Sequence, residues 1–214
     1  MIILGDAGIN YYLDESDKEV KKAVSNLPIT LFCIHGNHEE RPENIPTYKE
    51  IDFNSGLAYC EEAYPNLIFA KDGEIYNFNN LSTLVIGGAY SVDKEYRLRI
   101  GATWFPSEQP STETKEKVRQ VLKDNNNQID VILSHTVPYK YMPTEMLLSW
   151  VDQSTVDKST ELFLDEIEES TDYKKWYCGH FHTDKEIDKI RFMMYDIATF
   201  GKDIKRKTRK NKKN

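Results

Sequence analysis

The sequence predicts an α/β fold with a mixed sheet, and three observations carry the prediction. First, three short apolar runs each end in a turn followed by oxygen or nitrogen ligands. These are Ile2-Ile3-Leu4 before Gly5-Asp6, Leu31-Phe32-Cys33-Ile34 before Gly36-Asn37-His38-Glu39, and Trp176-Tyr177-Cys178 before Gly179-His180-Phe181-His182. In α/β sheets, functional groups gather at the carboxyl ends of strands. Second, a stretch with helical spacing separates the first two runs, so a parallel strand–helix–strand unit is expected. Third, Lys71-Asp72-Gly73 and Asn79-Asn80 interrupt later apolar runs with hairpin residues, which adds antiparallel pairing.

Taken in order, Ile2 to Leu4 is a short buried strand, with Asn10 just beyond its end. Asp17 is the expected N-cap of a helix reaching about Leu27, where Pro28 stops it. Val20, Ala23, Val24 and Leu27 are its expected buried face. Leu31 to Ile34 is the second strand. Residues 40–66 read as loop, punctuated by Pro42, Pro46 and Pro65, with a short helix over Gly56 to Tyr64. Leu67 to Ala70, Glu74 to Phe78 and Ser82 to Ile86 are predicted as three strands joined by tight turns. Gly87 to Arg97 leaves the third as a loop. Its two glycines permit close backbone approach, and Lys94 and Arg97 are placed to reach a phosphate.

Ser111 begins a helix of about four turns, with Val118, Val121 and Leu122 inward and a polar stop at Asp124-Asn125-Asn126-Asn127. Val131 to Leu133 is a buried strand with His135 just past its end. Residues 136–156 form a long loop carrying Tyr139, Tyr141, Met142 and Trp150. Asp157 is the expected cap of a helix through Ile167, and Trp176 to Cys178 and Ile190 to Tyr195 close the core as strands.

At 214 residues, 39% hydrophobic and 29% charged, the chain is expected to be one soluble domain over 1–201 with a basic tail at 202–214. The net charge of −7 includes a tail with eight Lys or Arg against one Asp, so the body is strongly acidic. Such a body repels phosphate polymers, and nucleic acid bound through the tail is not the favoured reading; a solvated end is. No apolar run approaches the roughly 20 residues of a membrane span, and with Met1 opening almost directly into a strand no signal peptide is expected. Three cysteines, Cys33, Cys60 and Cys178, are an odd number, so a reducing cytoplasm without disulfides is expected.

All five histidines, His35, His38, His135, His180 and His182, fall at or just beyond predicted strand ends. With Asp6 and Asn37 they make a mix of imidazole, carboxylate and amide that suits Mn²⁺, Fe²⁺ or Zn²⁺. The lack of paired cysteines argues against a structural zinc site. Ser134 beside His135 offers a weaker serine-hydrolase reading, because no Gly-x-Ser-x-Gly elbow surrounds it.

The ordered set Gly5-Asp6, Gly36-Asn37-His38-Glu39, His135 and Gly179-His180-Phe181-His182 resembles the calcineurin-like metallophosphoesterase superfamily. The segments 87–97 and 152–160 further resemble its bacterial and phage members. The resemblance implies a four-layer α/β/β/α sandwich and hydrolysis of phosphomonoesters or phosphodiesters at a two-metal centre. It makes Asp6 the carboxylate bridging both metals. Asn37, His135 and His180 complete one ligand set, and His182 serves the other metal. His38 would lie against the scissile phosphate as the catalytic group, oriented by Glu39. Asn10, Lys94 and Arg97 are the candidate substrate contacts, and His35 matches no ligand position and is read as structural.

The family opens with an Asp-x-His strand that has no counterpart here, so the first strand of the pattern is missing and one ligand set is complete while the other keeps only Asp6 and His182. Manganese is the expected metal at the complete site. The alternatives are a start lying further upstream, a one-metal enzyme, or a catalytically weak binding or regulatory protein on the same scaffold. A missing neighbour leaves an exposed strand edge, where self-association is expected.

Overall fold

Two mixed β-sheets stack face to face because alternate residues along their strands are apolar on both faces. The computed structural model describes residues 1–202 and 204. The first sheet is built from β1 (Ile2–Ile3), β2 (Leu31–Cys33), β3 (Tyr48–Phe53), β4 (Gly56–Glu61) and β5 (Leu67–Ala70), in spatial order β1-β2-β5-β4-β3. The second comprises β6 (Ile75–Phe78), β7 (Leu81–Ile86), β8 (Gln128–Ser134), β9 (Asp172–Cys178), β10 (Lys185–Ile187) and β11 (Ile190–Phe192), in order β10-β11-β9-β8-β7-β6. Each sheet combines parallel and antiparallel pairs: β1, β2 and β5 run parallel, while β4 pairs antiparallel with β3 and β5.

Period-2 alternation sorts the side chains into three cores. Phe32 and Ile34 point between the sheets, where they meet Val85, Val131, Leu133 and Tyr177. Leu31 and Cys33 point outward and pack with Ile9, Phe69 and Val24 of helix α1 (Glu15–Ser25). On the far side, Leu84, Ile86, Ile132 and Trp176 pack against Val118 and Leu122 of α3 (Thr112–Asp124) and Phe163, Leu164 and Ile167 of α4 (Ser159–Ser170). Helix, sheet, sheet and helix thus form four layers. The short α2 (Lys94–Ile100), which follows β7, buries no residue.

Several elements differ from the sequence reading. The N-cap of α1 is Asp14, whose Oδ1 accepts from the Ser16 N–H, and Asp17 lies inside the helix. Val20 and Leu27 are exposed, and the inward face carries Asp17, Lys21 and Val24. Lys21 is held there by a buried ion pair with Glu61, an inward use of charge that a hydrophobic pattern does not reveal. The expected helix over Gly56 to Tyr64 is strand β4, because the left-handed pair Asn54-Ser55 (φ 47° and 75°) folds it back on β3 as a hairpin. Asn79 and Asn80 (φ 54° and 61°) make the same kind of turn between β6 and β7, as expected.

The segment Lys71-Asp72-Gly73 is a crossover, since β5 and β6 belong to different sheets. Asp72 is buried at the crossing. Its Oδ2 accepts from Arg41 Nη1 at 2.7 Å and its Oδ1 from the Gly87 N–H at 2.7 Å. Arg41 Nε in turn donates to the Ser107 carbonyl. One carboxylate therefore ties the segment after β2 to the exit of β7. Segment 94–97 is helical, strand β10 adds an edge next to β11, and the long loop at 136–156 contains short 3₁₀ turns at Tyr139–Tyr141 and Thr144–Met146. Tyr141 packs on the core and Trp150 is exposed. Cys33, Cys60 and Cys178 are free and buried. Lys205 to Asn214 of the basic tail lies outside the described residues, while Ile204 packs into the core between the sheets.

Asp72→Ala leaves the Arg41 guanidinium buried without its counter-charge, and it is expected to destabilise the fold by about 3–5 kcal/mol. Urea unfolding followed by circular dichroism measures this; a midpoint unchanged from the parent would contradict the structural role of the pair.

Candidate metal centre

The site forms where β1, β2, β8 and β9 end side by side, so residues far apart in sequence arrive at one edge. Asp6 follows β1, Asn37 and His38 follow β2, His135 follows β8 and His180 follows β9. The chain turns sharply at each exit. Asp6 (φ 52°), His180 (φ 64°) and His182 (φ 51°) all sit in the left-handed region, and such strain persists where surrounding structure dictates it. The turn after β2 needs Gly36, because a Cβ there would lie 2.1 Å from Asp6 Oδ1. Gly5 is similarly required: at φ 90°, its Cβ would lie 2.1 Å from His135 Nδ1.

Four atoms with lone pairs face one another. His135 Nε2 lies 2.9 Å from Asn37 Oδ1 and 3.4 Å from Asp6 Oδ2, and His180 Nδ1 lies 3.1 Å from Asn37 Oδ1. The orientation of three of them is set from behind. His135 Nδ1 lies 2.7 Å from the Leu4 carbonyl, which can only accept, so that nitrogen carries the proton. A neutral ring then turns a bare Nε2 to the cluster, and a protonated one donates from Nε2 to Asn37 Oδ1 or Asp6. Asn37 Nδ2 donates to Ser91 Oγ at 2.9 Å, which turns Oδ1 inward. The His38 N–H donates to Asp6 Oδ1 at 3.0 Å. Acceptors crowded together in this way repel one another unless a proton or a cation lies among them.

The spacing fits a cation. Ligand atoms about 2.1 Å from a small divalent ion lie roughly 3 Å apart when adjacent, close to the distances found here. Among the described residues, no group of three or more His, Cys, Asp or Glu side chains is placed to hold a metal. The convergence depends instead on the Asn37 amide, which stands between two imidazoles. His182 lines the same groove as Asp6 and His180, with no hydrogen bond to the cluster.

The electrostatics follow from burial and neighbours. Burial opposes charge on Asp6, but the fields and hydrogen bonds of His135 and His38 outweigh it and hold its pKa well below the usual carboxylate range. Burial also opposes charge on His135, yet Asp6 raises its pKa. His180, half-buried and beside His135, is pushed down to about 3 by desolvation and the neighbouring imidazole. Burial lowers the pKa of His38, with the Arg97 charge acting in the same direction and Asp6 against it.

The remaining expected residues are placed as follows. His38 is half-buried at the mouth, its Nε2 3.3 Å from Asn37 Nδ2. Glu39 does not orient it: Oε1 accepts from the Gly36 N–H at 2.7 Å, and burial raises the carboxyl to about 8, so it closes the turn as a neutral group. Asn10 is fully buried, accepting from the Tyr48 hydroxyl, and braces a loop rather than facing solvent. Lys94 lies over the Trp104 ring at 4.2 Å. Arg97 is half-buried, bonded to Asp93 and Tyr11, with its charge felt at His38. His35 is buried away from the cluster's hydrogen bonds. Ser134 is buried with its hydroxyl donating to the Thr136 carbonyl and accepting from Trp176 Nε1, which removes it as a nucleophile. Sequence reasoning missed Ser91, since a lone serine in a loop gives no signal.

A groove of about 950 Å³ opens from the cluster. It runs along the unpaired side of β1, past Ile2, Leu4, Tyr177, Met193 and Phe200.

A sheet-on-sheet α/β sandwich with carboxylate, amide and imidazole groups at its strand ends defines a class of metal-dependent hydrolases. The family model for calcineurin-like phosphoesterases matches residues 1–184, and the chain belongs to that family, which acts on phosphate esters with divalent metal. The chain is also similar to uncharacterized protein L509 of Acanthamoeba polyphaga mimivirus, at 33% identity over 82 residues. The match covers 38% of this chain and only 28% of that protein. No helix among the described residues is long and apolar enough to cross a membrane.

The lowered pKa of His180 has a consequence for the metal-free chain. Its unfolded value is about 6.5, so the unfolded state binds more protons as pH falls below that value. Stability from this group is present above about pH 6.5 and is lost on the way down towards the folded value of about 3. Thermal melts in chelator should therefore show falling stability below pH 6.5, with a shallower slope in His180→Asn. Equal slopes in the two proteins would contradict this account.

Proposed function

We propose that the chain is a phosphoesterase active on phosphomonoesters or phosphodiesters, with Asp6, Asn37, His135 and His180 holding one divalent cation, Mn²⁺ by preference. The observation that supports this is the set of four inward-facing ligand atoms, three of them braced by a second group, in a chain of this family. When bound, the cation supplies Lewis-acid polarisation of a phosphoryl oxygen and lowers the pKa of a water. The chain's own residues do the rest. Asp6 and the two imidazoles fix where the phosphate sits. His38 stands at the mouth, where its ring stabilises the leaving oxygen or gives it a proton. Arg97 neutralises a phosphate oxygen, and Lys94 adds positive charge further out. His182 with Asp6 offers a second, weaker cation site. The three buried thiols suit a reducing, cytoplasmic compartment.

The open edge of β1 favours self-association, with the apolar groove covered by a second copy of the chain. Met1, Tyr195 and Ile197 are exposed at its rim, as a contact surface requires.

Activity, metal content and oligomeric state test these readings. With Mn²⁺, the chain should hydrolyse bis-nitrophenyl phosphate and retain about one metal equivalent after dialysis. His38→Ala should lose about 10²–10⁴-fold in rate; an unchanged rate removes His38 from the chemistry. Light scattering should find a dimer, and a strict monomer at high concentration would rule out the edge contact.

A further inference from the structure

The loop that leaves Asp6 carries a second structure that the metal cluster does not explain. Tyr12 is 60% exposed and Leu13 is 52% exposed, yet the backbone beneath them is firmly built. Asp17, itself 3% exposed, accepts from the Tyr12 N–H at 3.1 Å through Oδ1 and from the Leu13 N–H at 2.7 Å through Oδ2. Leu13 is held at φ 59°, where a branched side chain is strained. At the other end, Asn10 at φ 61° accepts from the Tyr48 hydroxyl through its side chain and from the Glu40 N–H through its carbonyl. Glu40 belongs to the same turn as Asn37 and His38. A buried carboxylate and a buried amide thus fix a turn whose own side chains face water.

The turn also reaches across to Arg97. Tyr11 and Tyr12 meet edge to face at 4.6 Å, and Arg97 Nη1 donates to the Tyr11 hydroxyl at 2.9 Å with its guanidinium 5.9 Å from the Tyr11 ring. Nε of Arg97 is held by Asp93 at 2.8 Å, while Nη2 has no partner among the described residues. Aromatic faces beside a guanidinium bind planar rings by stacking, with little dependence on which ring it is. Because the Asn10 carbonyl accepts from the Glu40 N–H, two residues beyond His38, the turn that carries Tyr11 and Tyr12 is tied to the turn that carries Asn37 and His38.

We infer that the Tyr11-Tyr12 turn and Arg97 form a preformed platform for the alcohol side of the ester, selecting phosphate esters whose alcohol carries a planar aromatic ring, as a nucleoside does. This rests on the phosphoesterase reading for the place of the phosphate. Tyr12 supplies the exposed ring face, Arg97 bridges ring and phosphate, and Asp17 is a positioning residue.

Phenylphosphonate and methylphosphonate test it, because neither has a hydrolysable ester and they differ in the ring. By calorimetry on the Mn²⁺-loaded chain, phenylphosphonate should bind about 10-fold tighter. In Tyr12→Ala the ratio should fall to about one, and in Tyr12→Phe it should persist. A parent chain without the preference, including one that binds neither compound, overturns the platform, as does a Tyr12→Ala chain that keeps it. Hydrolysis of bis-nitrophenyl phosphate reports separately on the phosphoesterase reading: turnover without ring preference sinks the platform alone, and ring preference without turnover sinks the activity alone.

Discussion

Asn37 Oδ1 stands between two imidazoles and faces a carboxylate, and much of the surrounding structure serves to keep it there. Left alone, an amide rotates to offer its NH₂ group to such neighbours, which would replace repulsion with hydrogen bonds. Here Nδ2 is instead engaged by Ser91 Oγ, and the Leu4 carbonyl fixes His135 so that Nε2 faces the same point. The arrangement is unfavourable without positive charge and favourable with it. That polarity is what a cation site requires of its protein.

Holding four such groups together calls for a rigid frame. Parallel strands supply it, because β1 ends beside β2 in one sheet and β8 beside β9 in the other, three of the four at buried residues. The cores on both faces of each sheet keep the strand ends in register, so small errors in one turn are not shared by the others. The strained turns at Asp6, His180 and His182 are the local cost of aiming side chains back across the edge. Asp72 and Arg41 brace the same end from outside, tying the ligand turn after β2 to the exit of β7, from which Ser91 follows.

Charge sits inside this protein in places where pattern alone suggests apolar contact. Lys21 with Glu61 and Arg41 with Asp72 are buried pairs, and Asp17 is a buried anchor for backbone N–H groups. Each lies near an irregular stretch that secondary structure cannot satisfy. Helix α1 illustrates the result, since its inward face carries Asp17 and Lys21 while Val20 and Leu27 face water. Hydrophobic periodicity assumes that the inward face is apolar, and here the inward face is partly a bracket for loops.

From the sequence alone, the strands at Ile2, Leu31, Leu67, Leu81 and Val131 were legible, as were α3 and the convergence of Asp6, Asn37, His135 and His180. These depend on local features: short apolar runs, a serine cap, and turn residues placed directly after strand ends. What a carboxylate six residues past a strand will touch is a different matter. Glu39 turned inward to Gly36, Asn10 became a buried brace, Lys71-Asp72-Gly73 crossed between sheets, and Gly56 to Glu61 became a strand, because each outcome depends on partners distant in sequence. Residue type and order determined which chemistry the chain carries. Only the stacking of two sheets decided which lone pairs meet, since that depends on distances the linear chain does not encode locally.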